Sequence, residues 1–404
     1  MLLSVVALGL RAQSPAELMN DAAVRAALDA AQRNETRTLE LQARICEIPA
    51  PPFHEEQRGL ELKRLFEELR LKDVRIDKTG NVIGVRPGRS AAPNLVFSAH
   101  LDTVFPEGTD VRVTRTGDLM KGPGIGDDCR GLAVMLAVAR ALDEGKVETP
   151  GTITFVADVG EEGLGDLRGM KGLFFDSLKG KIDKFVSVDG TGLGITHIGV
   201  GSNRYKVVFK GPGGHSYGAF GMANPIQAMG RAIAKIDAIQ VPSLPKTTFS
   251  VGRVGGGTSV NAIPFEAWME VDMRSADATS LKELDNKFQA AIKEAVAEEN
   301  ARWHNKGPVS VSAELVGVRP PGLTPKESPI VQTAMAVSRA MRIDEVLREG
   351  STDSNVPMNL GIPAITISGG GIGSGAHSLN ETFDARDSWR GTQRALLMAI
   401  ALAR

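Results

Sequence analysis

What most constrains the fold of this chain is a series of short apolar runs that each end on an acidic residue or a histidine. The run "NLVFSAHLDTV" carries His100 and Asp102, "TITFVADVGEEG" carries Glu161 and Glu162, and "KFVSVDG" ends at Asp189. Runs of this length, bounded by turn residues and alternating with helical patterns, read as buried strands of a mainly parallel sheet. Ligands of such sheets collect at the carboxyl ends of the strands. Two further segments bring chemistry without a strand of their own. "GPGIGDDCRG" places Asp127 and Asp128 where a glycine-rich loop enters a helix, and "GSGAHSLNE" holds His377. Two histidines and several carboxylates on loops at one sheet edge are the donors a zinc hydrolase needs.

The rest of the chain is read around that frame. Ser14-Pro15-Ala16-Glu17 has the capping-box pattern with proline at the first helical position, and helical patterns run on to about Cys46, where "PAPP" stops them. A helix is expected over about 55–71, with Leu60, Leu62, Leu65, Phe66 and Leu69 on its apolar side. "NVIGVRP" is a further strand, "CRGLAVMLAVARAL" a buried helix and "LRGMKGLFFD" a short helix. The pattern changes near Gly201. Strand "RYKVVFKG", helix "NPIQAMGRAIAKI", strands "TTFSVGRVGG" and "FEAWMEVDMRS", helix "LKELDNKFQAAIKEAVAEEN" and strand "VSVSAELVG" give the β-α-β-β-α-β order of a ferredoxin-like domain. After "VRPPG" the α/β pattern resumes with a helix over about 329–341, the strand "AITIS" and a helix around "RALLMAIALA". The expected division is therefore residues 14–200 and 319–404 for an α/β domain, with 201–318 inserted into it.

Composition bounds the partners. The chain has 404 residues, enough for two domains, and a formal net charge of -1, so no basic field recruits nucleic acid or an anionic membrane. Its two cysteines, Cys46 and Cys129, are too few for a disulfide framework and lack zinc-finger spacing. Met1 to Leu10 is apolar and too short to span a bilayer. It resembles the core of a secretory signal peptide within residues 1–13, although no basic residue precedes it and the cleavage pattern is poor. Export to a periplasm or beyond is expected on that reading. The other reading is the apolar terminus of a cytoplasmic protein.

Each candidate residue has a chemical role and a plainer one. Residues i and i+2 on a strand share a face, so His100 can bind metal while Asp102 stands behind its imidazole. The plainer role is a capped strand end. Asp127 and Asp128 suit a helix cap, but a carboxylate can also bridge two cations. Asp127 is the candidate bridge, and Asp128 the cap or a partner behind the ligands. Glu161 and Glu162 are adjacent and point apart, so one can bind metal while the other serves as general base. Asp189 is a strand-end ligand or a turn aspartate. His377 supplies the second ring nitrogen that a zinc site wants.

Taken together, "HLDTVFPEG", "GPGIGDD", "GEEG", "GGHS", "GGTSVNAIP", "DMRS" and "AHSLNE" stand in the order found in the zinc-dependent exopeptidases and deacylases, and the chain resembles that family over nearly its whole length. This family includes glutamate carboxypeptidase, tripeptide aminopeptidase, aminoacylase, acetylornithine deacetylase and succinyl-diaminopimelate desuccinylase. The resemblance implies a catalytic α/β domain interrupted by a ferredoxin-like lid through which homodimers form. It implies two zinc ions per chain, with cobalt or manganese as substitutes. His100 and Asp189 would hold one, Glu162 and His377 the other, and Asp127 would bridge them. Glu161 matches the general base that activates water, and Asp102 the partner of His100. In the inserted domain His215 matches a histidine that reaches the scissile carbonyl. Arg274 and Asn261 match positions that bind polar groups of the substrate.

The chain departs from the D-x-K-G-G of many relatives, having Asp127-Asp128-Cys129-Arg130-Gly131. Arg130 keeps the cation. Cys129 is read as a small buried residue or a point of oxidation. "GSTDSN", with Ser351, Thr352 and Asp353, resembles a substrate-side loop of the peptidase branches. His54, His197 and His304 match no ligand position. The expected activity is exopeptidase cleavage of small peptides. N-acyl-amino-acid deacylation at the same site is the alternative, and a non-catalytic binding protein of the same fold is the rival from another class. A dinucleotide enzyme is disfavoured, because "GPGIGDD" lacks G-x-G-x-x-G after a strand.

Overall fold

The computed structural model describes residues 13–404, and the apolar segment Met1–Leu10 lies outside the described residues. The described residues divide into two compact units, one of residues 13–197, 324–348 and 361–404, the other of residues 198–323 and 349–360. The second unit therefore takes in residues 349–360, which lie within the range that sequence patterning gives to the α/β part.

The first unit is built on a mixed sheet. In spatial order its strands run Lys72–Ile76, Val82–Arg86, Thr152–Asp158, Asn94–His100, Lys184–Val188, Ala364–Ile367 and Ile195–Gly199. The four strands from Thr152–Asp158 to Ala364–Ile367 are parallel to one another. Those flanking them pair antiparallel. The parallel strands are buried almost throughout, which is why they read as continuous apolar runs. Their register decides where the chemistry falls. His100 pairs with Asp158 at the carboxyl end, so the chain leaving Asp158 delivers Glu161 and Glu162 to the same edge. Asp189 follows directly on Val188 of the next strand.

The helix Cys129–Glu144 packs on this sheet and is buried on nearly every side, because Ala22–Arg33, Glu35–Cys46 and Trp389–Leu402 surround it. Phe97, Phe155, Leu132, Leu136, Val186 and Leu397 are among the residues they enclose. The N-terminal helical stretch is three helices rather than one, because Ser14 and Asp21 each cap a new start. The helix Glu56–Glu68 buries Leu62, Leu65 and Phe66, but Leu60 faces outward, 52% exposed, against expectation. Gly59, Leu62 and Phe66 are what face the sheet, so the apolar stripe is narrower than the leucine count suggests. A second small sheet has no counterpart in the sequence reading. It joins Thr114–Thr116, Leu119–Lys121, Thr382–Asp384 and Ile372–Ser374, all antiparallel.

The cysteines are also paired, as Cys46 and Cys129 form a disulfide with Cα atoms 5.4 Å apart. The sequence reading gave them no such bond. They are 83 residues apart, and only the packing of one helix end against another helix start brings them together.

The second unit has a four-stranded antiparallel sheet in the order Thr247–Gly256, Glu266–Ser275, Gly201–Lys210, Ser310–Arg319. With the helices Pro225–Asp237 and Ala278–Arg302 packed on it, this is ferredoxin-like. Strand Glu266–Ser275 alternates part-exposed and buried along its whole length, the burial pattern of a sheet with one covered face. Among the described residues no helix is long and apolar enough to cross a membrane.

Candidate metal centre

Three sets of side chains in the first unit bring possible ligand atoms within 4.8 Å of one another: His100, Asp128 and Asp189; His100, Glu161 and Glu162; Asp127, Glu162 and His377. Asp127 stands between the two histidines. Its Oδ1 is 3.1 Å from His100 Nε2, and its Oδ2 is 3.2 Å from His377 Nε2. Glu162 Oε1 is 3.0 Å from that same His377 nitrogen. His100 is buried at the strand end, whereas the His377 side chain is 55% exposed.

Asp102 is fully buried and does two jobs. Its main-chain carbonyl is 3.0 Å from His100 Nδ1, nearer than its carboxylate at 3.6 Å. The imidazole thus lies against both the carbonyl and, less closely, the carboxylate of Asp102. The carboxylate also accepts the main-chain N–H groups of Glu161 at 3.0 Å and Glu162 at 2.8 Å. One residue therefore ties the His100 strand to the turn carrying both glutamates. That turn needs Gly160, whose φ is +70° and whose missing Cβ leaves room for the Arg168 guanidinium. Arg168 in turn pairs with buried Glu55 at 2.6 Å.

Asp128 caps the helix Cys129–Glu144 by accepting from Gly131 N–H, and also accepts from the main chain of His100 and Gly190. It thus joins the ends of two neighbouring strands. Arg58, which the sequence reading passed over, is fully buried and donates to the carbonyls of Leu101, Ile48 and Cys46. It holds the stretch between His100 and Asp102 from behind. Arg130 is likewise buried, and donates to Gly369, Ser388 and Glu35. It fastens the helix Cys129–Glu144 to distant segments. Glu381 was also passed over. It is buried, and its carboxylate accepts from the main chain of Gly124, Gly126 and Asp127.

The electrostatics fit a cation-binding cluster. Burial pushes the Asp189 carboxyl up to about 7, and Asp127 adds to the push. Burial also holds Asp128 well above the carboxylate range. Burial alone would lower the His100 imidazole, but Asp102 and Asp127 overcome it and hold it well above its ordinary value. His377 is raised to about 10, first by Asp127 and then by Glu162. Carboxylates this close repel, and protons compensate where divalent ions would do so better. Two imidazoles with an oxygen-rich surround are a donor set suited to zinc or to neighbouring divalent metals. Beside Asp127 lies a cavity of about 200 Å³, lined in part by Gly190, Thr191, Ser374 and Glu381.

The remaining candidates sit in the second unit. His215 Nδ1 accepts from the N–H groups of Tyr217 and Gly218, which leaves Nε2 as the protonated donor. His215 pairs with Ala262, next to Asn261, across two short strands. The Asn261 side-chain oxygen accepts from Ser259 at 2.6 Å. Arg274 is held by Asp272 at 2.6 Å. Thr352 and Asp353 are buried.

A sequence profile described as peptidase family M20/M25/M40 matches residues 96–400. The N-acetylcysteine deacetylase of Bacillus subtilis is 27% identical over 66% of this chain and 69% of its own length. The crystal structure of aminopeptidase PepT from Bacillus cereus has a TM-score of 0.73 at 21% identity, covering 92% of this chain and 99% of that one. The Bacillus subtilis YxeP structure, described as a dinuclear metal-binding peptidase of the M20 family, has a TM-score of 0.66 at 17% identity, covering 92% of this chain and 99% of that one.

Proposed function

This chain belongs to peptidase family M20/M25/M40, metallohydrolases of peptides or N-acyl amino acids, and from that premise we propose that it is an exopeptidase of small peptides using two divalent metal ions. The observation that carries the reading is Asp127, with one oxygen on each of two histidines. His100 and Asp189 would hold one ion, His377 and Glu162 the other, with Asp127 shared. When bound, the metal pair supplies a Lewis acid for the amide carbonyl and lowers the pKa of water.

The chain's own residues do the rest. Glu162 touches His377, while Glu161 lies near His100. Glu161 is assigned as the base, by its match to the family's general base. Its carboxylate takes a proton from the attacking water and returns it to the leaving amine nitrogen. Asp102 fixes the main chain of both glutamates, so the base and the ligand keep a constant separation. The role given to His215 is donation from Nε2 to the carbonyl oxygen as negative charge develops there. Arg274 and Asn261 are assigned to polar groups of the substrate, and the ferredoxin-like unit to a homodimer interface. Zinc is the metal of choice for this donor set.

N-acyl-amino-acid deacylation is the second reading, and the likeness to a deacetylase favours it. The Cys46–Cys129 disulfide supports export to an oxidising compartment, periplasmic or secreted, over a cytoplasmic location. Thiol labelling of protein trapped in acid from separated cell fractions tests this.

The deciding experiment measures tightly bound metal per chain and then hydrolysis of short peptides against acetyl- and succinyl-amino acids, before and after chelation. Two metal ions and metal-restorable peptide cleavage are expected. Cleavage of acyl substrates alone moves the assignment to a deacylase. No metal and no hydrolysis, with zinc or cobalt added to folded protein, replaces the enzyme with a binding protein.

A further inference from the structure

Four residues beyond His377, Glu381 turns its carboxylate back under the glycine-rich loop that carries Asp127. Its Oε1 accepts N–H from Gly126 at 2.8 Å and Asp127 at 3.1 Å, and its Oε2 accepts from Gly124 at 2.9 Å. Its own carbonyl accepts from Gly122 at 3.2 Å. The next residue, Thr382, pairs with Lys121 in the small sheet. Upstream, Glu381 N–H donates to Ser378, and Ser378 N–H donates to Gly375, so His377 lies in the first of two successive turns that lead to Glu381. The approach is close on the loop side as well. A Cβ on Gly126 would lie 3.2 Å from Oε1 and 2.8 Å from Thr191 Cγ2. Glu381 is 2% exposed.

We infer that Glu381 is the positioning residue that sets the distance between Asp127 and His377, and through it the affinity of the metal pocket those two share with Glu162. This rests on the metal-centre reading above. A single residue links both sides of the pocket, its side chain holding the Asp127 loop and its main-chain N–H the turn that follows His377. One oxygen holds Asp127's N–H, while Asp127's carboxylate addresses the histidines. His377 has little else to hold it, since its side chain is more than half exposed and its φ is +64°. The His100–Asp189 pocket is fixed differently, by Asp102 and Asp128 on the parallel sheet. Loss of Glu381 therefore acts chiefly on the His377 pocket, and more weakly on the other through the shared Asp127.

The test is metal titration of full-length protein against a chromophoric chelator, with Zn2+ as the probe and Co2+ spectra as a second readout. Glu381→Gln nearly preserves shape but turns an amide donor toward one loop N–H, and Glu381→Ala removes all acceptors. Wild type is expected to bind two ions. In Glu381→Gln the affinity of the His377 pocket falls by roughly 10–100-fold, the range typical of groups that orient metal ligands, and that of the other pocket falls by clearly less. In a His377→Ala background Glu381→Gln produces little further loss at that pocket, because the ligand it positions is already gone. Excess metal restores kcat in the single variant. Equal affinities in Glu381→Gln and wild type, or equal weakening of both pockets, overturn the inference and leave the proposed function standing. A wild-type protein that binds no metal overturns both. Loss of the cooperative thermal melt in metal-free Glu381→Gln overturns the inference too, since the glutamate would then serve the fold as a whole.

Discussion

Glu161 and Glu162 donate their N–H groups to opposite oxygens of one carboxylate, and Glu162 contacts His377. The division of labour between them is therefore a matter of a single peptide unit. Glu161→Gln keeps the size and the main-chain bond while removing the proton acceptor. Turnover should fall by roughly 10²–10⁴-fold, the usual worth of a general base, with both metal ions retained and KM little changed. Metal analysis on the variant and its steady-state kinetics check this, and activity near that of wild type would move the base elsewhere. At this scale the sequence was informative wherever a residue's role follows from its place on a strand. His100 and Asp189 are legible because strand ends in a parallel sheet converge. Glu381 and Arg58 were not, since an acid in a loop and an arginine in an amphipathic helix carry no local mark. Their roles exist only through main-chain groups brought to them from far along the chain.

Elements show the same division between local and distant signals. The ferredoxin-like order was readable because strand and helix patterns succeed one another between clear turns and each helix carries its cap, as with Asn224 before Pro225–Asp237 and Asp277 before Ala278–Arg302. The small sheet was not, because strands of three residues hold too little pattern and Thr382 finds Lys121 across more than half of the chain. The disulfide belongs here too, since it joins the end of the helix Glu35–Cys46 to the start of Cys129–Glu144, immediately after Asp127 and Asp128. Closing a loop of 83 residues should stabilise the fold by about 2–4 kcal/mol. Treatment with a reductant should therefore lower the thermal midpoint of the wild type and leave that of Cys46→Ala/Cys129→Ala unmoved. A wild-type melt insensitive to reductant, under conditions where thiol titration shows both cysteines free, would remove the bridge from the list of stabilising features.

For the molecule as a whole, the acid-rich cluster makes stability depend on metal and pH together. In the metal-free chain His377 is raised to about 10, first by Asp127, and Asp189 is pushed up to about 7, first by burial. A histidine whose folded pKa is raised contributes stability that is full below about 6.5, its unfolded value, and fades as pH climbs toward 10. A carboxyl whose folded pKa is raised acts in the same direction, because the folded chain holds a proton that the unfolded chain has released. Between pH 6 and 8 the metal-free protein should therefore lose stability as pH rises. Metal binding runs the other way, since ligands must give up those protons before they coordinate. The gap between the thermal midpoints of metal-loaded and chelated protein should widen steadily from pH 6 through pH 8. Calorimetric titration of metal in buffers of different ionisation enthalpy should register proton release that shrinks as pH rises. A gap that stays constant or narrows over that range would mean that the protons on His377 and Asp189 are not what the metal displaces, and that the ligand set must be sought in another combination of these carboxylates.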